Sequence, residues 1–341
     1  MAAHHPIHDA NERSPFGDLT REEFYRKHKV RHSEFFMLTD QKKKLFTQSW
    51  RPEGLPGRKL RGFVAMVHGY VSESSWVFQL TAVAIAKLGF HVCALDLRGH
   101  GFSDGPRDQV PDVDVLVDDC IRYFDAARSG RERLPAFLYG ESLGGAIALL
   151  VCLRQRGRWS GLVLNGAMCG VSPEYKPPWP LEAFLPAAAL VAPNWRVSIT
   201  QPLVRRSYKE EWKRRLVVSS PNYRGPGKAP AATALEFLRV CRRIRRRCGE
   251  LEVPILAVHG GGDSVCDTES ARRVVERAGS ADKTLEVLPG MWHQLIGEPE
   301  GNVEAAFGVI FRWLEDRAGG ASSSGAGKHC MEARRKRPSL Q

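Results

Sequence analysis

The stretch Tyr139-Gly140-Glu141-Ser142-Leu143-Gly144-Gly145 lies between a short apolar run, 134–139, and a helix-forming run, 146–154. The run LPAFLY predicts a buried strand, and the run AIALLVCLR predicts the helix that follows it. A strand that turns into a helix within so few residues needs a glycine on each side of the serine, because neighbouring backbones approach closely there. The sequence therefore predicts a strained strand–turn–helix with Ser142 exposed at its tip. An ordinary turn with small residues for packing is the alternative interpretation.

Two later loops carry the residues that make such a serine reactive. A serine hydroxyl is a weak nucleophile at neutral pH, so a histidine must accept its proton and a carboxylate must orient that histidine. Asp263 follows an apolar run on a glycine-rich loop, and His293 follows the next such run. This order, with each residue after a strand, is that of α/β-hydrolases, and it predicts Ser142 as nucleophile, His293 as base and Asp263 as acid. Asp267 is the rival acid, but its place before a predicted helix favours an N-cap.

Two backbone N–H groups are predicted to stabilise the oxyanion that forms when the serine attacks. In α/β-hydrolases one belongs to the residue after the nucleophile, and the other to the loop after the third strand. These positions are Leu143 and Tyr70, the latter in the sequence His68-Gly69-Tyr70 that follows the apolar run 62–67. His68 is predicted to anchor this loop by hydrogen bonding and to take no part in catalysis.

Five motifs are spread along the chain: HGY at 68–70, ALDLRGHGFSDG at 94–105, FLYGESLGG at 137–145, HGGGDSVCD at 259–267 and GMWHQLIGEPE at 290–300. Together they resemble the monoacylglycerol lipase family, and in particular its plant branch, from about Glu22 to about Asp316. The resemblance implies a Ser142–His293–Asp263 triad beneath a mobile lid, acting on a small acyl ester such as monoacylglycerol or lysophospholipid, with no metal or organic cofactor. A hydroxycinnamate esterase is the alternative within the class, and a non-catalytic receptor on the same fold is the alternative outside it.

Strand and helix patterns alternate after residue 62. This alternation predicts an α/β protein with the α/β-hydrolase fold, a mostly parallel eight-stranded sheet with helices on both faces. The first two strand candidates, 34–38 and 45–50, have no helix between them and are expected to pair as an antiparallel hairpin at one edge. Between the sixth and seventh strands, at about 167–247, prolines cluster and no strand pattern survives. A helical lid is expected in this insertion.

The termini are expected to be polar extensions of one hydrolase domain. We expect a polar N-terminal segment over 1–21, the domain over 22–317, and a disordered, basic Gly/Ser-rich tail over 318–341. His4, His5 and His8 lie in the first segment and are expected to be solvated. No carboxylate or cysteine at ligand spacing indicates a metal site there.

The net charge and the lengths of the apolar runs indicate where the protein is located and which partners it binds. The net charge is +12, and basic residues cluster at 239–247 (RVCRRIRRR) and 333–338 (ARRKRP). No nucleic-acid motif accompanies them, so attraction to anionic membranes is the preferred interpretation and nucleic acid is not an expected partner. No apolar run reaches 18 residues and the N-terminus has no apolar core, which predicts a cytoplasmic protein, peripheral to membranes at most. Eight cysteines without a C-x-x-C pair indicate buried thiols, except Cys266, which is expected to be reachable from the pocket.

Overall fold

The fold is built on one sheet of eight strands. A computed structural model of the chain describes residues 4–54, 59–176, 181–196, 203–223, 225 and 229–319. Its strands are β1 (Val30–Leu38), β2 (Lys44–Pro52), β3 (Gly62–Val67), β4 (Phe90–Leu95), β5 (Ala136–Glu141), β6 (Gly161–Asn165), β7 (Ile255–Gly260) and β8 (Lys283–Leu288). Their order across the sheet is β1-β2-β4-β3-β5-β6-β7-β8. β1 pairs antiparallel with β2 and β2 with β4, while all other pairs are parallel, which confirms the predicted sheet and its edge hairpin.

Ten α-helices accompany the sheet in the described part of the chain. They are α1 (Arg21–Lys27), α2 (Phe78–Lys87), α3 (Val113–Arg128), α4 (Leu143–Arg154), α5 (Leu181–Val191), α6 (Leu203–Ser207), α7 (Glu211–Val218), α8 (Ala231–Arg247), α9 (Thr268–Arg277) and α10 (Glu300–Gly319). Within the described residues, none is both long and apolar enough for a membrane crossing.

Helices cover both faces of the sheet, as predicted. Successive side chains of a strand point to opposite faces, so a central strand buried on both sides must be apolar throughout. All six residues of β3 are buried. Phe63 and Val67 belong to a core with α3, α4, α8 and α9, whereas Val64 and Met66 belong to a second core with α1, α2 and α10. The two cores fix the carboxyl ends of the parallel strands at one edge.

The N-terminal segment is packed, which differs from the prediction. Residues Pro6–Asp9 form a short 3-10 turn, and Ile7 is fully buried. His5 is also fully buried, with its ring 4.4 Å from that of Phe307 in α10, and only 8% of the His8 side chain is exposed. The expectation that these histidines are solvated is therefore wrong for His5 and His8, because their partner helix lies at the other end of the chain.

Between β6 and β7 the described residues form helices α5 to α8, and we refer to 167–247 as the cap. This agrees with the helical character predicted for the insertion. Helix α10 continues to Gly319, two residues beyond the predicted end of the domain. The remainder of the predicted basic tail, including Cys330, lies outside the described residues. The seven cysteines within them are buried and free, as predicted for six; Cys266 is discussed below.

Helix α4 starts in direct contact with the end of β3, which leaves no room for a side chain at Gly144. A Cβ atom there would overlap the carbonyl oxygen of Val67, whereas one at Gly308 in α10 would meet no atom within 4 Å. Gly144→Ala is expected to lower the free energy of unfolding by about 1–3 kcal/mol. The matched variant Gly308→Ala is expected to raise it by about 0.4–1 kcal/mol, because alanine restricts the unfolded chain. Denaturant titrations measure both changes; equal stability of the two variants would contradict the close packing of α4 on β3.

Candidate active site

Ser142 lies at the turn between β5 and α4 in the strained conformation that the sequence predicts. Its φ is 52° and its ψ is −119°, which is rare for a residue with a side chain. A Cβ atom at Gly140 would overlap the backbone of Gly144, so both glycines are required for the turn. β5 extends to Glu141, two residues beyond the predicted strand, and the serine is therefore carried directly on the end of the strand.

The structure brings the three residues predicted as nucleophile, base and acid into one hydrogen-bonded chain. His293 Nε2 lies 3.0 Å from Ser142 Oγ, and His293 Nδ1 lies 2.7 Å from Asp263 Oδ2. Each residue follows the carboxyl end of a parallel strand: β5, β7 or β8. Since an ionised carboxylate only accepts hydrogen bonds, Nδ1 carries the ring proton and Nε2 is left to accept the proton of the serine.

Asp263 is held as a buried carboxylate. Its side chain is fully buried, and its Oδ1 accepts hydrogen bonds from the N–H groups of Val265 (2.8 Å) and Cys266 (2.9 Å). Burial raises the pKa of this carboxyl, but the interactions with His293 and His259 lower it by more, so the net pKa shift is downward. His259 Nε2 lies 3.0 Å from Asp263 Oδ2. The sequence analysis missed His259 because its four-residue spacing from the acid spans a loop.

Asp267 caps a helix and does not contact His293 in the hydrogen bonds described above. Its Oδ2 accepts a hydrogen bond of 3.0 Å from the N–H of Ser270, which confirms the prediction that it caps α9. Cys266, between the two aspartates, is 2% exposed, and burial raises the pKa of its thiol well above the usual value. The expectation that Cys266 is reachable from the pocket is therefore wrong. Asp263, Cys266 and His293 present ligand atoms within 4.8 Å of one another, but hydrogen bonding already accounts for both nitrogens of His293.

The two predicted oxyanion donors lie on either side of the serine turn. Leu143 is the first residue of α4, where a backbone N–H has no acceptor within the helix. The loop before Tyr70 is packed against the turn, because a Cβ atom at Gly69 would lie 3.2 Å from Ser142 Cβ. His68 accepts a hydrogen bond of 3.0 Å from the N–H of Leu97 at Nε2, and its Nδ1 lies 2.8 Å from the oxygen of Gly69. These contacts confirm His68 as an anchor of the loop.

An open cavity is lined by Ser142, His293 and residues of the cap. One set of lining residues is apolar and comes from the core and the cap: Trp76, Val77, Leu203, Val204 and Val217. Another set is polar and surrounds Glu73. This side chain accepts hydrogen bonds from Ser75 Oγ (2.7 Å), Asn222 Nδ2 (2.7 Å) and Ser220 Oγ, and burial raises its pKa. The sequence analysis did not identify Glu73, whose partners Ser220 and Asn222 come from the distant cap.

Comparison with known proteins finds one family and several relatives. Residues 58–300 match the family Hydrolase_4, described as serine aminopeptidase, S33. The chain is 34% identical over 309 residues to caffeoylshikimate esterase of Arabidopsis thaliana, covering 89% of this chain and 91% of that protein. It is 30% identical over 280 residues to monoglyceride lipase of Homo sapiens, covering 82% and 89%. A soluble variant of monoglyceride lipase from Saccharomyces cerevisiae, solved with a substrate analog, shares the fold with a TM-score of 0.72 at 19% identity, covering 83% of this chain and 94% of that one.

The different surroundings of the two aspartates generate a paired test. Asp263→Asn is expected to reduce esterase turnover roughly 10³- to 10⁴-fold, because an amide favours the wrong tautomer of His293. Asp267→Asn is expected to retain both activity and stability, since asparagine caps a helix about as well as aspartate. Steady-state turnover of a soluble short-chain ester and thermal unfolding measure the two effects. Loss of turnover in Asp267→Asn alone would contradict Asp263 as the acid.

Proposed function

The chain belongs to the serine aminopeptidase S33 family of α/β-hydrolases, within its monoacylglycerol lipase branch, and we propose that it hydrolyses monoacylglycerol or lysophospholipid through Ser142, His293 and Asp263. It is a carboxylic ester hydrolase. The observation that carries the proposal is the continuous hydrogen-bonded chain from Ser142 Oγ to the Asp263 carboxylate, which lies beside an open cavity lined by apolar and polar side chains.

The proposed reaction has two halves. Ser142 Oγ attacks the ester carbon while His293 Nε2 takes its proton, and the resulting oxyanion accepts hydrogen bonds from the N–H groups of Tyr70 and Leu143. Collapse breaks the bond to the alcohol, which leaves with the proton from His293, and an acyl-enzyme remains. His293 then deprotonates a water molecule that attacks the acyl carbon, and the carboxylic acid and Ser142 are released. Asp263 stabilises the imidazolium in both halves.

The two sides of the cavity support an ester with one apolar and one hydroxylated part. Trp76 and Val217 offer surface to an acyl chain, and the carboxylate of Glu73 offers oxygen atoms that accept hydrogen bonds from hydroxyl groups. Monoacylglycerol and lysophospholipid have this composition. A hydroxycinnamate ester with a polyhydroxylated alcohol has it as well, and the similarity to caffeoylshikimate esterase over 309 residues makes such an ester the second candidate.

A panel of esters with a matched pair of serine variants tests the proposal. The wild-type protein is expected to turn over monoacylglycerol and lysophospholipid faster than caffeoyl shikimate and to react with a fluorophosphonate probe. Ser142→Ala is expected to lose the labelling and on the order of 10⁴-fold or more of the turnover, whereas Ser129→Ala, on the exposed end of α3, retains both.

The outcomes of the panel separate the candidates. Preferred turnover of caffeoyl shikimate would select the hydroxycinnamate esterase. Absence of both labelling and turnover in the wild-type protein would favour the non-catalytic receptor. Equal labelling of Ser142→Ala and wild type would overturn Ser142 as the nucleophile.

We further propose that the protein is cytoplasmic and that its cap contacts anionic membranes. Helix α5 packs against α8. On and just after α5, Phe184, Leu190, Val191 and Trp195 are 60–84% exposed. Exposed apolar side chains beside basic ones are typical of surfaces that bind membranes at the headgroup level.

The basic side of this surface lies on α8. Arg242, Arg245 and Arg246 are exposed, while Arg243 and Arg247 pair with Asp114 and Glu250. These pairs neutralise part of the cluster, so the three exposed arginines and the tail beyond Ala318 supply the attraction in this proposal.

Vesicle binding tests this surface. Replacing Arg242, Arg245 and Arg246 with glutamine is expected to weaken binding to phosphatidylserine-containing vesicles on the order of 100-fold at low salt, since each basic residue contributes about 1 kcal/mol. Turnover of a soluble ester is expected to be unchanged. Co-sedimentation at low and high salt gives the measurement, and deletion of the chain after Ala318 measures the share of the tail. Salt-independent binding that is lost in Leu190→Ser would assign the contact to apolar insertion, and no binding by the wild type would contradict the proposal.

A further inference from the structure

Two histidines of the N-terminal segment and a glutamate of α10 converge on the surface of the protein, on elements separate from those of the triad. His8 Nε2 lies 3.0 Å and His4 Nδ1 lies 3.5 Å from the same oxygen, Oε1 of Glu304. The two rings are 4.3 Å apart between centroids, and the ligand atoms of all three side chains lie within 4.8 Å of one another. Sequence spacing does not reveal this cluster, because Glu304 lies 299 residues after His5.

The buried Nε2 atom of His8 is not satisfied by a hydrogen bond within the described part of the chain. It has no hydrogen bond to any residue that the structure describes, although Glu304 Oε1 is only 3.0 Å away. The imidazole is therefore not aligned for a hydrogen bond to this oxygen. A buried polar nitrogen without a partner calls for a specific explanation, and an ion is one of the few available.

We propose that His4, His8 and Glu304 form a binding site for a divalent transition-metal ion, with zinc as the best match. Zinc binds histidine nitrogen and carboxylate oxygen at about 2.0–2.2 Å, so neighbouring ligand atoms of a tetrahedral site are about 3.3 Å apart. The observed separations of 3.0 and 3.5 Å lie on either side of this value. The two histidine nitrogens lie within 4.8 Å of each other, so all three ligand atoms are within reach of one ion.

The surroundings of the cluster resemble those of metal-binding histidines. When His4 binds through Nδ1, its Nε2 faces Glu300, whose Oε1 lies 3.8 Å away. A carboxylate on the second nitrogen orients a metal-binding imidazole and increases its basicity. The His4 side chain is 56% exposed, which leaves a path for the ion and a position for a water molecule.

The donor set selects the class of ion. Two imidazoles and one carboxylate suit zinc and its neighbours among the first-row metals, whereas calcium and magnesium prefer oxygen ligands throughout. The ion would connect the turn Pro6–Asp9 to α10 and so fasten the N-terminal segment to the end of the domain. The N–H of His5 already donates to Glu304 Oε1 at 2.8 Å, which holds this carboxylate in place.

Zinc titration of the full-length, tag-free protein tests the site. We expect one zinc ion per chain by calorimetry, and a rise in melting temperature of roughly 5 °C when zinc exceeds its dissociation constant about 100-fold. His4→Ala and Glu304→Gln are each expected to weaken binding at least 10-fold, and Glu300→Gln about 10-fold through the second shell of contacts. Glu315→Gln, on the same helix but paired with Arg61, is the matched control and retains full affinity.

The second cluster, around Asp263, Cys266 and His293, requires its own control. Zinc bound there would inhibit the esterase, so the titration is repeated in His293→Ala, where binding to the N-terminal site must persist. His4→Ala retains wild-type esterase activity in the absence of zinc, which separates this site from the triad. Equal zinc affinity of wild type, His4→Ala and Glu304→Gln, or no zinc-dependent stabilisation of the wild type, would overturn the proposal and leave only a histidine–carboxylate ion pair.

Discussion

The strained backbone of Ser142 is the constraint on which the site depends. A side chain at this φ and ψ costs on the order of 1–3 kcal/mol, so the surrounding structure must hold it. The N–H of Ser142 donates to the oxygen of Asn165 at 3.1 Å, and its carbonyl accepts from Met168 N–H at 2.9 Å. Asn165 ends β6, and Met168 lies in the first residues of the cap. The adjacent parallel strand therefore holds the turn, and the same segment of backbone begins the insertion above the cavity.

Burial makes the ionised carboxylate of Asp263 energetically unfavourable unless it is paired, and the pairing fixes its orientation. An ionised carboxylate without solvent contact is strongly destabilising unless it is hydrogen-bonded and paired. Here Oδ1 is satisfied by two backbone N–H groups and Oδ2 faces the imidazoles of His293 and His259. Asp267, four residues later, uses its carboxylate on the N-terminus of α9 instead. The same residue type thus acquires two structural roles from its surroundings, and the carboxylate that we propose for catalysis is the one whose orientation the backbone N–H groups determine.

Local sequence patterns predict the strands and helices near the site. The features that they do not predict depend on contacts between residues far apart in the chain. β3 coincides with the apolar run 62–67, and α4 contains the helix-forming run 146–154, because the patterns that predict these two elements are local ones. The capping box of Thr20 and Glu23 is visible in the sequence, yet α1 was missed because it spans only seven residues. The burial of His5 depends on α10, and the hydrogen bonds of Glu73 depend on the cap. Neither partner lies near in sequence, so no periodic pattern of residues predicts these contacts.

Polar contacts around the cavity tie one side of the cap to the histidine loop. The buried ammonium of Lys213, in α7, donates to the carbonyl oxygens of Ile296 (2.9 Å) and Glu298 (2.6 Å), which follow His293 on the same loop. Burial lowers the pKa of Lys213 to about 8, while the carboxylates of Glu210, Glu298 and Glu300 oppose this shift and favour the ammonium. Trp76 Nε1 donates to the oxygen of Leu216 at 2.6 Å, which joins α7 to the cavity wall. Displacing α7 would break these hydrogen bonds and leave the carbonyl oxygens of Ile296 and Glu298 without this donor. The α7 side of the cap therefore belongs to the hydrogen-bonded structure that positions His293.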